Sequence, residues 1–139
     1  MEQNTNTLYT TIAGGSVAAI AYLFGGLDHL LLWLAVMMAI DFFMGVLVGS
    51  YSQNISSKRF FKGLGKKTAM LLMVIVANGV DMVVGTNGGI MRNSMILFLI
   101  ANEGISITEN AGKLGINIPS KITNVFDQLK DENDSKKEE

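Results

Sequence analysis

The residues that could do chemistry are few, and their positions are unusual. The 139-residue chain has no cysteine and a single histidine, His29, so a thiolate nucleophile, a Cys-based metal site and a two-histidine zinc motif are all excluded. Four carboxylates stand out, because Asp41, Asp81, Glu103 and Glu109 interrupt or directly follow long apolar runs. Ionisable residues in such runs typically pair with one another or face water. No constellation for catalysis is present, so we expect no enzyme and no cofactor.

The composition favours a membrane protein. The chain is 49% hydrophobic and 17% charged, whereas about 25% of residues are charged in an ordinary soluble domain. The charges are also segregated: between Glu2 and Lys58, only Asp28 and Asp41 are formally charged. A soluble core of this length could not bury so many apolar residues. We therefore expect an all-α integral membrane protein with a helical membrane domain over residues 1–118.

Four apolar segments are predicted to be transmembrane helices. They cover about residues 8–24, 30–49 and 68–85, and a fourth begins near Met91 and continues to about residue 110. Each can supply the roughly 20 residues that a bilayer requires. The first segment is weakened by Thr, Gly and Ser, so three spans remain an alternative to four. No basic region precedes this segment, so we expect it to stay as an anchor rather than be cleaved as a signal peptide.

The loops predict the orientation. The positive-inside rule places residues 50–67 in the cytoplasm, because this loop is basic and the turn at 25–29 has no Lys or Arg. Four spans would then leave both termini in the cytoplasm. The loop could also lie on the anionic inner leaflet. The polar tail at 119–139 is expected to be cytoplasmic, with a short helix at 120–132 and disorder beyond it. The candidate inner-leaflet cations are Lys58, Arg59, Lys62, Lys66 and Lys67.

The end of the fourth segment predicts an amphipathic helix. On a helix, six of the polar residues between 102 and 113 fall within one arc of about 120°, while Thr108 lies on the other side. Two interpretations are open: the arc lines a water-filled interior in an assembly, or the helix leaves the membrane near Asn102 and lies along its surface. The residues of this polar arc are Asn102, Glu103, Ser106, Glu109, Asn110 and Lys113.

Small residues recur at helical spacing beside the carboxylates. Asp41, Gly45 and Gly49 follow one another at intervals of four, and Gly14 precedes Ala18 by the same interval. Such faces allow close helix approach, either between copies of the chain or within one monomer. The candidate packing residues are Gly14, Gly15, Ala18, Gly45 and Gly49. The candidate pore-lining or buried polar residues are Asp41, Asn78, Asp81, Asn102, Glu103, Ser106 and Glu109.

Three stretches resemble a known family. SSKRFFKGLGKKTAMLL at 56–72 is similar to the S-x-K…G-L-x-K-K block of the bacteriophage lysis and toxin-secretion holin family of Gram-positive bacteria. AIDFFMGVLVG at 39–49 resembles its Asp-x-x-x-Gly helix. IANEGISITENAGKLGINIP at 100–119 resembles its closing signature, I-x-N-E-x-x-S-I-x-E-N followed by Leu-Gly and Pro. The resemblance covers roughly residues 28–125.

This resemblance implies a multi-pass protein of the bacterial cytoplasmic membrane that homo-oligomerises and opens lesions. An endolysin, or in some bacteria a large toxin, would pass through them as cargo. The implied partners are further copies of the chain, the lipid bilayer and an antiholin, and nucleic acid is not among them. Two alternatives remain at this stage: an antiholin or membrane scaffold with the same fold, and a small ion channel subunit.

Overall fold

The chain folds into α-helices joined by short turns. The computed structural model describes residues 2–52, 56–85 and 88–135, and these contain five α-helices and no strand. The all-α prediction is confirmed, and the four predicted apolar segments lie within helices except for Gly85, which is the C-cap residue of the third helix. The helices are α1 (Glu2–Phe24), α2 (His29–Tyr51), α3 (Ser57–Val84), α4 (Ile90–Lys113) and α5 (Ser120–Ser135).

The third helix is longer than the sequence indicates. It begins at Ser57 rather than near Thr68, and it continues without a break through Gly63 and Gly65. The basic stretch is therefore the first part of α3 and not a separate loop. As a consequence, Lys67 takes a fixed position on the helix.

The central element is α4, which packs against α2, α3 and α5, while α1 contacts α3. The core lies where α2, α3 and α4 meet, and each helix contributes residues at intervals of three or four, as expected for one face of a helix. The buried core residues are Leu34 and Met38 of α2, Met70 and Val74 of α3, and Ile96 and Leu99 of α4.

A tight turn reverses the chain between α1 and α2. Gly25 and Gly26 have φ angles of 71° and 120°, which residues with a Cβ rarely adopt. The Gly26 N–H donates to the Ala21 carbonyl at 2.8 Å, the closing bond of a Schellman motif. Asp28 then begins α2 as its N-cap, accepting a hydrogen bond from the Leu31 N–H at 3.0 Å.

Within the described residues, three helices are long and apolar enough to cross a membrane, by length and composition: Asn6–Phe24, His29–Tyr51 and Phe60–Val84. Their outward faces carry large exposed apolar side chains such as Phe43 and Val76, as expected where lipid replaces water. The fourth predicted span, α4, is not in this group. Its first half nevertheless supplies Ile96 and Leu99 to the core that it forms with α2 and α3.

The C-terminal tail forms α5, which is attached to α4. The ring of Phe126 lies over Gly104, so closely that a Cβ at residue 104 would be 2.5 Å from the nearest ring carbons. The helix ends at Ser135, slightly beyond the predicted helix at 120–132. Disorder was predicted for all of residues 133–139, and this is wrong for 133–135, which continue the helix; residues 136–139 lie outside the described part of the chain.

The contact between Gly104 and Phe126 can be tested by substitution. We expect Gly104→Val to displace the ring and release α5, at a cost of about 1–3 kcal/mol for overpacking. Gly112→Val is the matched control, because a Cβ at Gly112 on the same helix meets nothing within 4 Å. Limited proteolysis in detergent should cleave residues 114–135 roughly tenfold faster in the first variant only. Equal cleavage of both variants would contradict this contact.

Candidate functional site

One lysine joins three helices inside the bundle. Lys67 Nζ of α3 lies 3.0 Å from Asp41 Oδ2 of α2 and also donates a hydrogen bond to Glu103 Oε2 of α4. Asn110, two turns beyond Glu103, donates from Nδ2 to Asp41 Oδ1 at 3.1 Å. We call these four residues the Lys67 cluster.

The cluster is largely shielded from the surroundings of the bundle. The side chains of Lys67, Asp41 and Glu103 are 12%, 15% and 3% exposed. An unpaired charge in such a place would be very costly, and a hydrogen-bonded partner of opposite charge offsets much of that cost. Among the described residues, no buried side-chain nitrogen or oxygen lacks a hydrogen-bond partner.

Sequence analysis did not identify Lys67 as the partner of the carboxylates of Asp41 and Glu103. Lys67 was assigned to the inner leaflet together with the neighbouring cations. A signal was present, since Lys67 precedes the core residues Met70 and Val74 by three and seven positions. This spacing places all three side chains on one face of a helix. Of the other predicted leaflet cations, Lys58, Lys62 and Lys66 are exposed, and the Arg59 side chain lies outside the described part.

A second polar cluster lies at the other end of the bundle. Arg92, in the first turn of α4, is 3% exposed. Its guanidinium donates to Asp28 Oδ2 at 2.7 Å and to the Gly26 carbonyl at 3.1 Å, and it also donates to the Phe24 carbonyl. Arg92 therefore binds the end of α1 and the beginning of α2 at once. We call this arrangement the Arg92 cluster.

Asp81 and Asn78 of α3 complete the Arg92 cluster. Asp81 accepts hydrogen bonds from the Arg92 N–H at 2.8 Å and the Met91 N–H at 3.1 Å. It thereby caps α4, whose N-cap residue is Gly89 and has no side chain. Asn78 donates to the carbonyls of Leu23 and Tyr22, at 3.0 and 3.2 Å. Asp81 and Asn78, two of the predicted buried polar residues, are therefore buried and hydrogen-bonded to backbone groups at helix ends.

The predicted polar arc of α4 divides into two parts. Glu103 and Asn110 turn inward to the Lys67 cluster. The others form the outer part of the arc: Asn102 and Ser106 are half-buried, and Glu109 and Lys113 are exposed.

Four of the five predicted packing residues are open in the monomer, and the fifth, Gly49, is half-buried. A Cβ added at Gly14, Gly15 or Gly45 would meet nothing within 4 Å, and Ala18 is exposed. Gly45 and Gly49 line a groove of about 360 Å³ between α2 and α3, next to Asp41, Phe60 and Lys67. No group of three His, Asp or Glu side chains in the described residues is placed to hold a metal ion.

Together these features define a small all-α membrane protein whose buried charges are paired inside the helical bundle. Residues 18–131 match the model of the bacteriophage holin family. The chain is 39% identical over 120 residues to a probable holin of Bacillus phage phi105, covering 86% of this chain and 87% of that protein. It is 37% identical over 125 residues to Lmo0128 of Listeria monocytogenes, covering 88% and 89%. No solved structure matches the chain. The chain therefore belongs to the bacteriophage holin family, as its motifs predicted.

Removing the shared cation should destabilise the bundle. Lys67→Met leaves two buried carboxylates without a positive partner, and we expect the free energy of unfolding to fall by roughly 3–5 kcal/mol. Lys62→Met, which removes an exposed cation from the same helix, should change it by less than about 0.5 kcal/mol. Unfolding in mild detergent, followed by circular dichroism, gives both values. Equal losses in the two variants would show that the cluster does not stabilise the fold.

The Arg92 cluster should make the thermal stability of the fold depend on pH in the acidic range where Asp28 titrates. The hydrogen bond from Arg92 holds the pKa of Asp28 below its ordinary value of 3.8. Because the pKa is lowered in the folded state, this stabilisation is present above pH 3.8 and disappears as the pH falls through the folded-state pKa. We expect Asp28→Asn to lower the thermal midpoint at neutral pH and to reduce its decline below about pH 4. Asp127→Asn, an exposed position, is the control, and an unchanged acid profile in Asp28→Asn would contradict the assignment.

Proposed function

We propose that the chain acts as a holin: it oligomerises in the cytoplasmic membrane and opens lesions through which a cytoplasmic endolysin passes. The observation that carries the proposal is the match to the holin family over residues 18–131. The similarity to a probable holin of a phage supports an endolysin rather than a toxin as the cargo. The role needs no catalysis, since the chain would act by permeabilising the membrane.

The first helix supports the oligomerisation step. Every side chain from Asn6 to Ile20 is exposed in the monomer, although this helix is apolar enough to cross a membrane. Its Gly14 and Gly15 are open to close approach. In membranes, where lipid competes for apolar surface, small residues are what favour contact between helices. We propose that α1 and the Gly45 face of α2 make contacts between copies.

We further propose four crossings with both termini in the cytoplasm. Two observations support this topology: the exposed cations Lys58, Lys62 and Lys66 lie near the start of α3, and α4 packs between α2 and α3. Lys and Arg remain preferentially on the cytoplasmic side. The core contacts of Ile96 and Leu99 hold the first half of α4 beside spanning helices.

The Lys67 cluster would allow the monomer to accumulate without damage. Lys67 contacts both carboxylates and Asn110 donates to Asp41, so each of these groups has a partner within the monomer. We propose that the cluster stabilises this harmless monomeric state. Lesions would then open after the helices exchange contacts within the monomer for contacts with other copies.

Controlled expression in bacteria tests the proposal. The membrane potential is followed together with release of a cytoplasmic endolysin that has no signal sequence. We expect abrupt depolarisation and release at the same moment. Depolarisation without enzyme release would indicate an ion channel or a small-lesion protein, and the absence of both would indicate an antiholin or scaffold. Either result would contradict the proposed lesion.

The timing of the lesion should respond to Asp41. Asp41→Asn removes one of the two carboxylates that contact Lys67 and so weakens the interaction between α2 and α3. We therefore expect the delay before depolarisation to shorten roughly twofold or more. Ser50→Ala, an exposed polar position on the same helix, is the control at equal expression. An unchanged delay in Asp41→Asn would remove the Lys67 cluster from the timing mechanism.

A further inference from the structure

We propose that the groove between α2 and α3 binds one anionic phospholipid. An acyl chain lies between the two helices, and the phosphate group lies among the cations at the beginning of α3. This inference goes beyond the proposed function and uses only its topology. Residues that line the groove include Phe42, Gly45, Gly49, Phe60, Gly63 and Lys67.

The groove exists because α2 and α3 are held apart. Within the described residues, both helices pack mainly on α4 and not closely on each other. Side chains cross the gap at two places. Lys67 Nζ lies 3.0 Å from Asp41 Oδ2. The rings of Phe42 and Phe60 meet edge to face, with centroids 5.3 Å apart.

Glycines on both helices keep the groove open. A Cβ at Gly45 or Gly63 would meet nothing within 4 Å, and the groove has a volume of about 360 Å³. A helix segment about 10 Å across and about 16 Å long would occupy more than about 1,000 Å³, so a helix of another copy is too wide to enter. A single acyl chain is narrow enough, and it restores the dispersion contacts that an empty groove lacks.

The groove crosses the boundary between hydrocarbon and headgroups. The Arg92 cluster lies at the turn between α1 and α2, where the proposed topology places one boundary of the membrane. The hydrocarbon thickness of about 30 Å corresponds to about 20 helical residues. Counted from Asp28 and Asp81, the other boundary falls near Val48 of α2 and Phe61 of α3.

Each end of the groove suits the part of a lipid that lies at its depth. On the hydrocarbon side of the boundary, the groove is lined by Gly45, Val46 and Gly63. On the headgroup side, it is lined by Ser52 and Ser56, whose hydroxyl groups are polar. A phosphate group with an acyl chain attached has the same order of polar and apolar parts.

The charge at the headgroup end favours an anionic lipid. Five Lys or Arg residues lie at the beginning of α3, and no Asp or Glu occurs between Asp41 and Asp81. Lys58 and Lys62 of this group are exposed. Asp41, at the inner end of the groove, is paired with Lys67. Cations near the surface of a membrane attract anionic lipids, and basic pockets between helices bind their headgroups.

A lipid in this groove would compete with contacts between copies. Gly45 belongs both to the groove and to the face of α2 that is proposed to contact another copy. The bound lipid would therefore have to leave before contacts form there, and the supply of anionic lipid would influence how readily copies associate.

Two glycines of α3 provide a matched pair of variants. Gly63→Leu places a side chain in the groove, whereas Gly65→Leu places the same side chain on the opposite face of the helix. A Cβ at either position meets nothing within 4 Å, so we expect both variants to fold, which circular dichroism checks. Native mass spectrometry of the full chain in mild detergent then measures the retention of dioleoylphosphatidylglycerol and dioleoylphosphatidylcholine. These two lipids share their acyl chains and differ in charge.

We expect the wild-type chain and Gly65→Leu to retain one phosphatidylglycerol per monomer, several-fold more than phosphatidylcholine. Gly63→Leu should retain several-fold less phosphatidylglycerol than Gly65→Leu. Phosphatidylglycerol should also raise the thermal midpoint of the wild-type chain and of Gly65→Leu more than that of Gly63→Leu, because a ligand stabilises the state that binds it. If Gly63→Leu does not fold, Gly45→Leu fills the groove from α2 and takes its place.

Three results would overturn the proposal. Equal retention of the two lipids, or of neither, would exclude a site for an anionic lipid. Equal retention of phosphatidylglycerol by Gly63→Leu and Gly65→Leu would place the lipid outside the groove. Lipid-free dimers of the wild-type chain that Gly63→Leu converts to monomers would identify a second copy as the occupant.

Retention by the purified chain keeps this test separate from the proposed function. If the lipid is retained as expected but expression in bacteria causes no depolarisation, the lesion is contradicted and the lipid site stands. If expression causes depolarisation and endolysin release but no lipid is retained, only the lipid site is contradicted.

Discussion

The sharing of one ammonium group by two carboxylates is the interaction on which the rest of the bundle depends. Glu103 follows the apolar half of α4 and would be costly to bury alone, yet α4 must lie between α2 and α3 to cover Leu34 and Val74. Lys67 resolves this conflict by contacting both Asp41 and Glu103. The cluster therefore allows α4 to continue inside the bundle past the point where its sequence becomes polar, and α5 can then dock beside Gly104.

Polar groups in this chain fall into two sets with different consequences. The inner set, centred on Lys67 and Arg92, is paired and fixes how helices meet. The outer set consists of polar side chains of α4 and α5 that are half-buried or exposed, such as Ser106 and Glu109. The role proposed above requires a protein that is harmless while it accumulates in the membrane. The inner set suits this requirement, because Lys67 and Arg92 are hydrogen-bonded to carboxylates within the monomer.

Much of the fold could be predicted because local patterns determine it. Apolar runs predicted the helices, and the polar arc of α4 predicted where the amphipathic part begins. The pairing of Lys67 could not be predicted from local sequence, since its partners lie 26 and 36 residues away. The positive-inside rule also accounted for Lys67 together with its four neighbouring cations. The capping of α4 by Asp81 was missed for a similar reason: the cap comes from another helix, because Gly89 has no side chain to supply it. The docking of α5 depends on Gly104, because only a residue without a Cβ leaves room for the ring of Phe126. This contact joins distant parts of the chain and is not visible in either local sequence.

The most direct test of the central interaction is a double-mutant cycle between Lys67 and Glu103. The free energy of unfolding in detergent is measured for Lys67→Met, for Glu103→Gln and for the two substitutions together. If the ammonium and the carboxylate are paired inside the bundle, the combined loss will be smaller than the sum of the single losses, by about 1–3 kcal/mol. Losses that add to within about 0.5 kcal/mol would contradict the pairing, and with it the basis for burying the second half of α4.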